Sequence, residues 1–187
     1  MLTNAQVSQL LDAIDVYETN CEYDSVFCDV HDRLAAAGAA GKLDIAALVF
    51  WKRAAQGKWV KKFLSTPEET VLAATRAAFA AAQDGSALVE LAVLDGFKTM
   101  GPIATTVLCA FNPDHWAVMD RRALRGLTRL GHGLPRRRRG RTVAYLRRVR
   151  ELRDCLRRAA MPSERWRQRQ PGITARDVDK GLFVIGK

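Results

Sequence analysis

From Val7, Leu10, Leu11 and Ile14 near one end to Val178, Leu182 and Ile185 near the other, apolar residues recur at the 3.6-residue spacing of an amphipathic helix. No stretch keeps the two-residue period of a half-buried strand, and no repeat of roughly 20 to 50 residues appears. The chain is therefore expected to be all-α. With 187 residues, 48% of them hydrophobic, it can bury one sizeable core or a core shared between two helical lobes.

Punctuation divides the pattern into segments. Thr3 and Gln6 have capping-box spacing ahead of the first helix, and a second runs from Ser25 to Ala37, ending at Gly38 and Gly41. Asp44 is expected to cap a very apolar third helix, Ile45 to Trp51, that stops before Gly57. Thr66-Pro67-Glu68-Glu69 reads as a cap, a proline at the first helical position and a returning carboxylate, starting a helix that reaches Gln83. Beyond Asp84-Gly85, Ser86 is expected to cap a helix through Leu94, and Gly96 to Gly101 links it tightly to Pro102–Phe111. Asn112-Pro113-Asp114 is a turn, residues 116–119 read as extended, and Asp120 precedes a helix from Arg121 to Leu130. The turn-rich stretch Gly131 to Gly140 is expected to separate the lobes. Thr142 then caps a long basic helix bearing Leu146, Val149, Leu152 and Leu156, and Thr174 with Asp177 opens the last one.

Charge is distributed unevenly. Residues 1–120 hold 9 Lys/Arg against 15 Asp/Glu, whereas residues 121–187 hold 21 against 5. A basic part at 121–187 in a chain of net charge +10 favours a polyanionic partner, because Lys and Arg displace counterions condensed on phosphates. The basic helices carry few aromatic anchors, which fits an anionic membrane less well. The competing interpretation is a solvated arginine-rich surface. Cys21, Cys28, Cys109 and Cys155 show neither zinc nor iron-sulfur spacing, so no cofactor and no side-chain metal site is expected. No apolar run has the length of a membrane span, and residues 1–4 lack a basic and apolar leader pattern, so the expected location is the cytoplasm.

The segment Leu94-Asp95-Gly96-Phe97-Lys98-Thr99-Met100-Gly101-Pro102-Ile103-Ala104-Thr105, followed by Phe111-Asn112-Pro113 and Ala117-Val118-Met119-Asp120, resembles the signature of helix-hairpin-helix DNA glycosylases of the endonuclease III, adenine-mismatch and 8-oxoguanine type. The resemblance covers about thirty residues, with the hairpin at 94–111. It implies a single glycosylase-like domain over 1–187 and double-stranded DNA as partner. In such a hairpin a glycine lets the backbone approach a phosphate while the next helix offers free N–H groups at its positive end. The resemblance gives that role to Gly101, Ile103 and Ala104, adds Lys98 as a charged contact, and allows a monovalent cation on the hairpin carbonyls. Two residues depart from the pattern. Thr99 stands where the family has its earlier glycine, and Ile103 stands where bifunctional members carry a nucleophilic lysine, which disfavours a lyase.

Asp120 aligns with the family's essential aspartate, whose carboxylate stabilises positive charge on the deoxyribose as the base departs. As a plain helix cap, Asp120 would instead bond the amides of Arg122 or Ala123. A flipped base needs an aromatic or apolar pocket, for which Trp51, Trp59 and Trp116 are the candidates. Arg121, Arg122 and Arg125, with the run Arg136, Arg137, Arg138 and Arg139, are candidates for tracking the phosphate backbone. His115 and His132 form no metal-ligand spacing. The leading expectation is a monofunctional DNA N-glycosylase; the rival is a noncatalytic DNA-binding module on the same scaffold.

Overall fold

The computed structural model describes residues 2–21, 24–52, 58–81, 85–98, 101–134 and 140–187. Among them the regular structure is entirely helical, with no strand. The chain divides into two compact units, and one of them, Glu22–Asn112, is inserted into the other, which consists of Met1–Cys21 and Pro113–Lys187. The expected boundary at Gly131 to Gly140 is thereby corrected. The described part of that stretch, residues 131–134 and 140, lies within the discontinuous unit, in which the first helix finds its partner at the far end of the chain, a pairing that no local pattern encodes.

That first helix, α1 (Asn4–Asn20), opens with the expected capping box. Gln6 N–H donates to Thr3 Oγ1 at 3.2 Å, and Thr3 N–H donates to Gln6 Oε1 at 2.8 Å. Its Leu10, Leu11 and Ile14 are fully buried.

The inserted unit comprises α2 (Asp24–Ala37), α3 (Lys42–Trp51), α4 (Lys58–Ser65), α5 (Glu68–Ala80), α6 (Gly85–Leu91) and α7 (Pro102–Phe111). Every residue of α7 from Ala104 to Ala110 is buried, as expected of a helix that is apolar all round and packed between others. It lies against α2, α3, α5 and α6. His31 Nδ1 ties α2 to its end by donating to the Ala110 carbonyl at 2.7 Å. Phe79 of α5 stacks on Phe111 with centroids 3.9 Å apart.

Three expected caps are displaced here. Asp44 is the third residue of α3 rather than its cap, and its Oδ2 accepts the N–H of Gly41 at 3.2 Å while Glu68 Oε1, from α5, accepts that of Lys42 at 3.1 Å. Thr66 does not cap α5, whose N-cap is Pro67. The Thr66 hydroxyl donates backward to the Lys62 carbonyl at 3.2 Å and closes α4, a helix the sequence pattern did not reveal. Ser86 lies inside α6, which ends at Leu91 instead of Leu94.

The remaining helices, α8 (Arg121–Arg129), α9 (Arg141–Arg158), α10 (Glu164–Arg169) and α11 (Ala175–Ile185), complete the discontinuous unit with α1 and a short 3-10 turn at Gln170–Gly172. Helix α11 packs against both α1 and α8. Its Thr174 and Asp177 form the expected capping box. A buried polar cluster spans the unit's core: Arg176 pairs with Asp179 and donates to Tyr17 Oη at 2.8 Å, and Tyr145 Oη donates to Asp179 at 2.9 Å. Such charges persist inside only when paired and hydrogen-bonded. Thr142 is the second residue of α9, not its cap. That place is taken by Gly140, whose φ of +78° suits a residue without a Cβ. No helix among the described residues is long and apolar enough to cross a membrane.

Candidate functional site

Asp120 ends the buried segment at 116–119 and starts α8. Its backbone is extended, and its Oδ1 accepts the N–H of Arg122 at 2.7 Å and of Ala123 at 2.8 Å. The side chain is half-buried. Both amides lack intrahelical acceptors, and a carboxylate there also meets the positive end of the helix dipole. The cap therefore fixes the carboxylate's orientation relative to the helix that carries the arginines.

On that helix, Arg121, Leu124, Arg125 and Thr128 fall three or four residues apart and share a face. Together with Arg141, the first residue of α9, they line a depression of about 560 Å³. Arg121 and Arg125 are exposed. None of the three arginines has an ion-pair partner among the described residues, and Arg141 Nε is shielded from solvent with no acceptor within reach. Elsewhere in the unit the guanidinium groups are engaged: Arg157 with Asp114 at 2.5 Å, Arg148 with Glu151 at 2.5 Å, Arg165 with Asp15 at 2.8 Å, and Arg169 with Glu18 at 2.6 Å. Arg122 leaves the depression and lies over the Phe183 ring, 5.0 Å from its centroid. Part of the charge of residues 121–187 is thus neutralised locally, while the three arginines around this hollow are not paired with acids among the described residues. Arg141 was not singled out by the sequence pattern. The available signal was its place immediately after Gly140, a helix-start position misassigned to Thr142.

In the inserted unit, the hairpin link turns at Gly96, whose φ is +90°. Phe97 N–H donates to the Leu94 carbonyl at 3.1 Å, and Lys98 pairs with Asp95 at 3.2 Å while remaining largely exposed. Gly101 is buried and caps α7, Pro102 occupies its first position, Ile103 is half-buried and Ala104 is buried. Pro102 has no N–H to leave unsatisfied, so the helix begins with fewer orphan donors. The hydroxyls of Thr105 and Thr106 both donate to the Pro102 carbonyl, at 3.1 and 2.7 Å.

The tryptophans are dispersed. Trp51 is half-buried beside Phe27, with centroids 5.0 Å apart. Trp59 is half-buried with its ring against Gly96. Trp116 belongs to the core of the discontinuous unit, 3% exposed and edge-on to His115. His115 Nε2 meets Arg150. His132 lies near Arg148, and burial together with that cation holds its imidazole below the ordinary histidine value. Thr99 and Arg136 to Arg139 lie outside the described residues. Among those described, no three His, Cys, Asp or Glu side chains converge as a metal site would require. Comparison with protein-family models, curated proteins and solved structures returns no match to the chain.

Proposed function

We propose that this chain is a DNA-binding protein of the helix-hairpin-helix glycosylase type, acting as a monofunctional N-glycosylase that hydrolyses the bond between a damaged or modified base and its deoxyribose. The observation that carries the proposal is the setting of Asp120. The carboxylate of a Val-x-Asp element, Val118-Met119-Asp120, is held in one orientation by two amides at the head of an arginine-bearing helix. Fixed negative charge of this kind stabilises an oxocarbenium-like transition state at no reorganisation cost. Gly96 and the Gly101-Pro102 start of α7 support the hairpin part of the proposal, and Ile103 supports the absence of a lyase step. Base release from duplexes carrying oxidised, deaminated, alkylated or mismatched bases tests it, with Asp120→Asn as control. Release that depends on Asp120 supports the enzyme; release that survives the substitution refutes the assigned role.

One observation favours the rival, a noncatalytic DNA-binding module. Capping α8 is by itself sufficient reason for an aspartate at position 120. Duplex binding without release from any substrate selects that reading.

A further inference from the structure

We infer that the depression lined by Arg121, Leu124, Arg125, Thr128 and Arg141 is a phosphate-binding site that holds the backbone of a nucleic acid. That the phosphate comes from nucleic acid rests on the function proposed above; the anion chemistry rests on the depression alone.

Three guanidinium groups converge on one volume without a carboxylate among the described residues, so they repel one another until an anion enters. Several other arginines of the same unit, Arg148, Arg157, Arg165 and Arg169 among them, are held in ion pairs with acids. Arg141 brings a third guanidinium to the same hollow from the start of a different helix. The hydroxyl of Thr128 already donates to the Leu124 carbonyl at 3.1 Å, so the donors offered to a ligand are the charged forks. Planar guanidinium groups suit phosphate oxygens in pairs, and Leu124 is the apolar member of the lining. At about 560 Å³ the hollow accepts a phosphate together with its flanking sugars. Long charged arms without a set of neutral donors position a backbone and read no base, which fits a nucleic-acid strand better than a small ligand.

The test follows the arginine Nε–Hε signals of the intact protein by nuclear magnetic resonance, adding sodium pyrophosphate in one series and a short duplex of arbitrary sequence in another. Signals of Arg121, Arg125 and Arg141 are expected to shift in both series, while those of Arg153 and Arg157, held on Asp114, stay in place. Arg125→Gln and Arg141→Gln should each weaken duplex binding several-fold and lower the slope of log K against log salt by about 0.9. Duplex binding without any pyrophosphate shift at these arginines overturns the site but leaves the proposed function standing. Pyrophosphate shifts in a protein that binds no duplex assign the hollow to a free phosphorylated ligand, which overturns the nucleic-acid source and the proposed function together.

Discussion

Gly126 of α8 lies so close to Leu182 of α11 that a Cβ at position 126 would stand 2.0 Å from the Leu182 carbonyl oxygen. The contact is reciprocated one turn away, where a Cβ at Gly186 would meet the Arg122 carbonyl oxygen at 1.8 Å. Two glycines therefore set the closest approach of the helices, and everything α8 carries, Asp120 at its cap and the arginines on its outer face, is positioned by that crossing. Gly126→Ala is expected to cost about 3 kcal/mol, the upper range of overpacking, because the obstacle is main chain and cannot rotate away. Gly133→Ala, which meets nothing within 4 Å, should change stability by less than about 0.5 kcal/mol. Urea unfolding of the two variants beside the parent checks both values. A Gly126→Ala protein as stable as the parent would contradict the crossing.

Capping by Asp120 and its proposed chemistry separate by choice of substitution. Asparagine retains an acceptor for the amides of Arg122 and Ala123, so Asp120→Asn should stay within a few tenths of a kcal/mol of the parent in unfolding experiments. Alanine removes the acceptor and should cost about 1 kcal/mol. Base release, in contrast, should be abolished equally by both. Loss of release only in the alanine variant would show that the carboxylate serves the helix rather than the reaction.

In the inserted unit, Gly96 combines a left-handed φ of +90° with contact against Trp59, whose Cε3 would lie 2.3 Å from an added Cβ. Gly96→Ala therefore meets both backbone strain and a clash with a half-buried ring, and it is expected to destabilise the unit by about 2 to 4 kcal/mol. Trp59→Ala in the same background vacates the space. Denaturant midpoints for the single and double variants should be markedly non-additive, because the double variant keeps the strain and loses the clash.

Much of the helical order was legible from local pattern. Thr3 with Gln6, Asp120, and Thr174 with Asp177 cap the helices expected of them, since each of these starts is decided by one side chain and the amides just after it. Starts settled by tertiary partners were not legible. Lys42 has its amide satisfied by Glu68 from another helix; Thr66, by contrast, makes a local bond, its hydroxyl turning back to Lys62 at the end of α4. The first unit's discontinuity was hidden for the same reason, because Gly181 meets Leu10 across almost the whole chain. Within the site, the face bearing Arg121 and Arg125 was implicit in helical spacing. Arg141 was not, since its role depends on how α9 begins. The basic excess of residues 121–187 also read as more uniform than it is, because a charge count does not show which arginines find acids.

Two groups in the discontinuous unit give stability separate pH dependences. Burial alone would raise the Glu18 carboxyl, but the hydrogen bond and charge of Arg169, assisted by Lys180, outweigh it and hold the group below the ordinary carboxylate value. A carboxyl depressed on folding contributes stability that is present above its unfolded value and disappears as pH falls through its folded value. Glu18→Gln should therefore cost about 1 kcal/mol near neutrality, kept modest by partial exposure, and the difference from the parent should vanish in strong acid. His132 is also depressed, by burial and the Arg148 cation, so its unfolded form takes up a proton first. Its stabilising effect is complete above the ordinary histidine value and declines as pH falls toward the folded one. Urea unfolding from about pH 7 to about pH 3 should then show a shallow loss in the histidine range and a second in the carboxylate range. His132→Gln should remove only the first and Glu18→Gln should diminish only the second. A parent stability that stays flat across the histidine range would show that the imidazole is as readily protonated folded as unfolded.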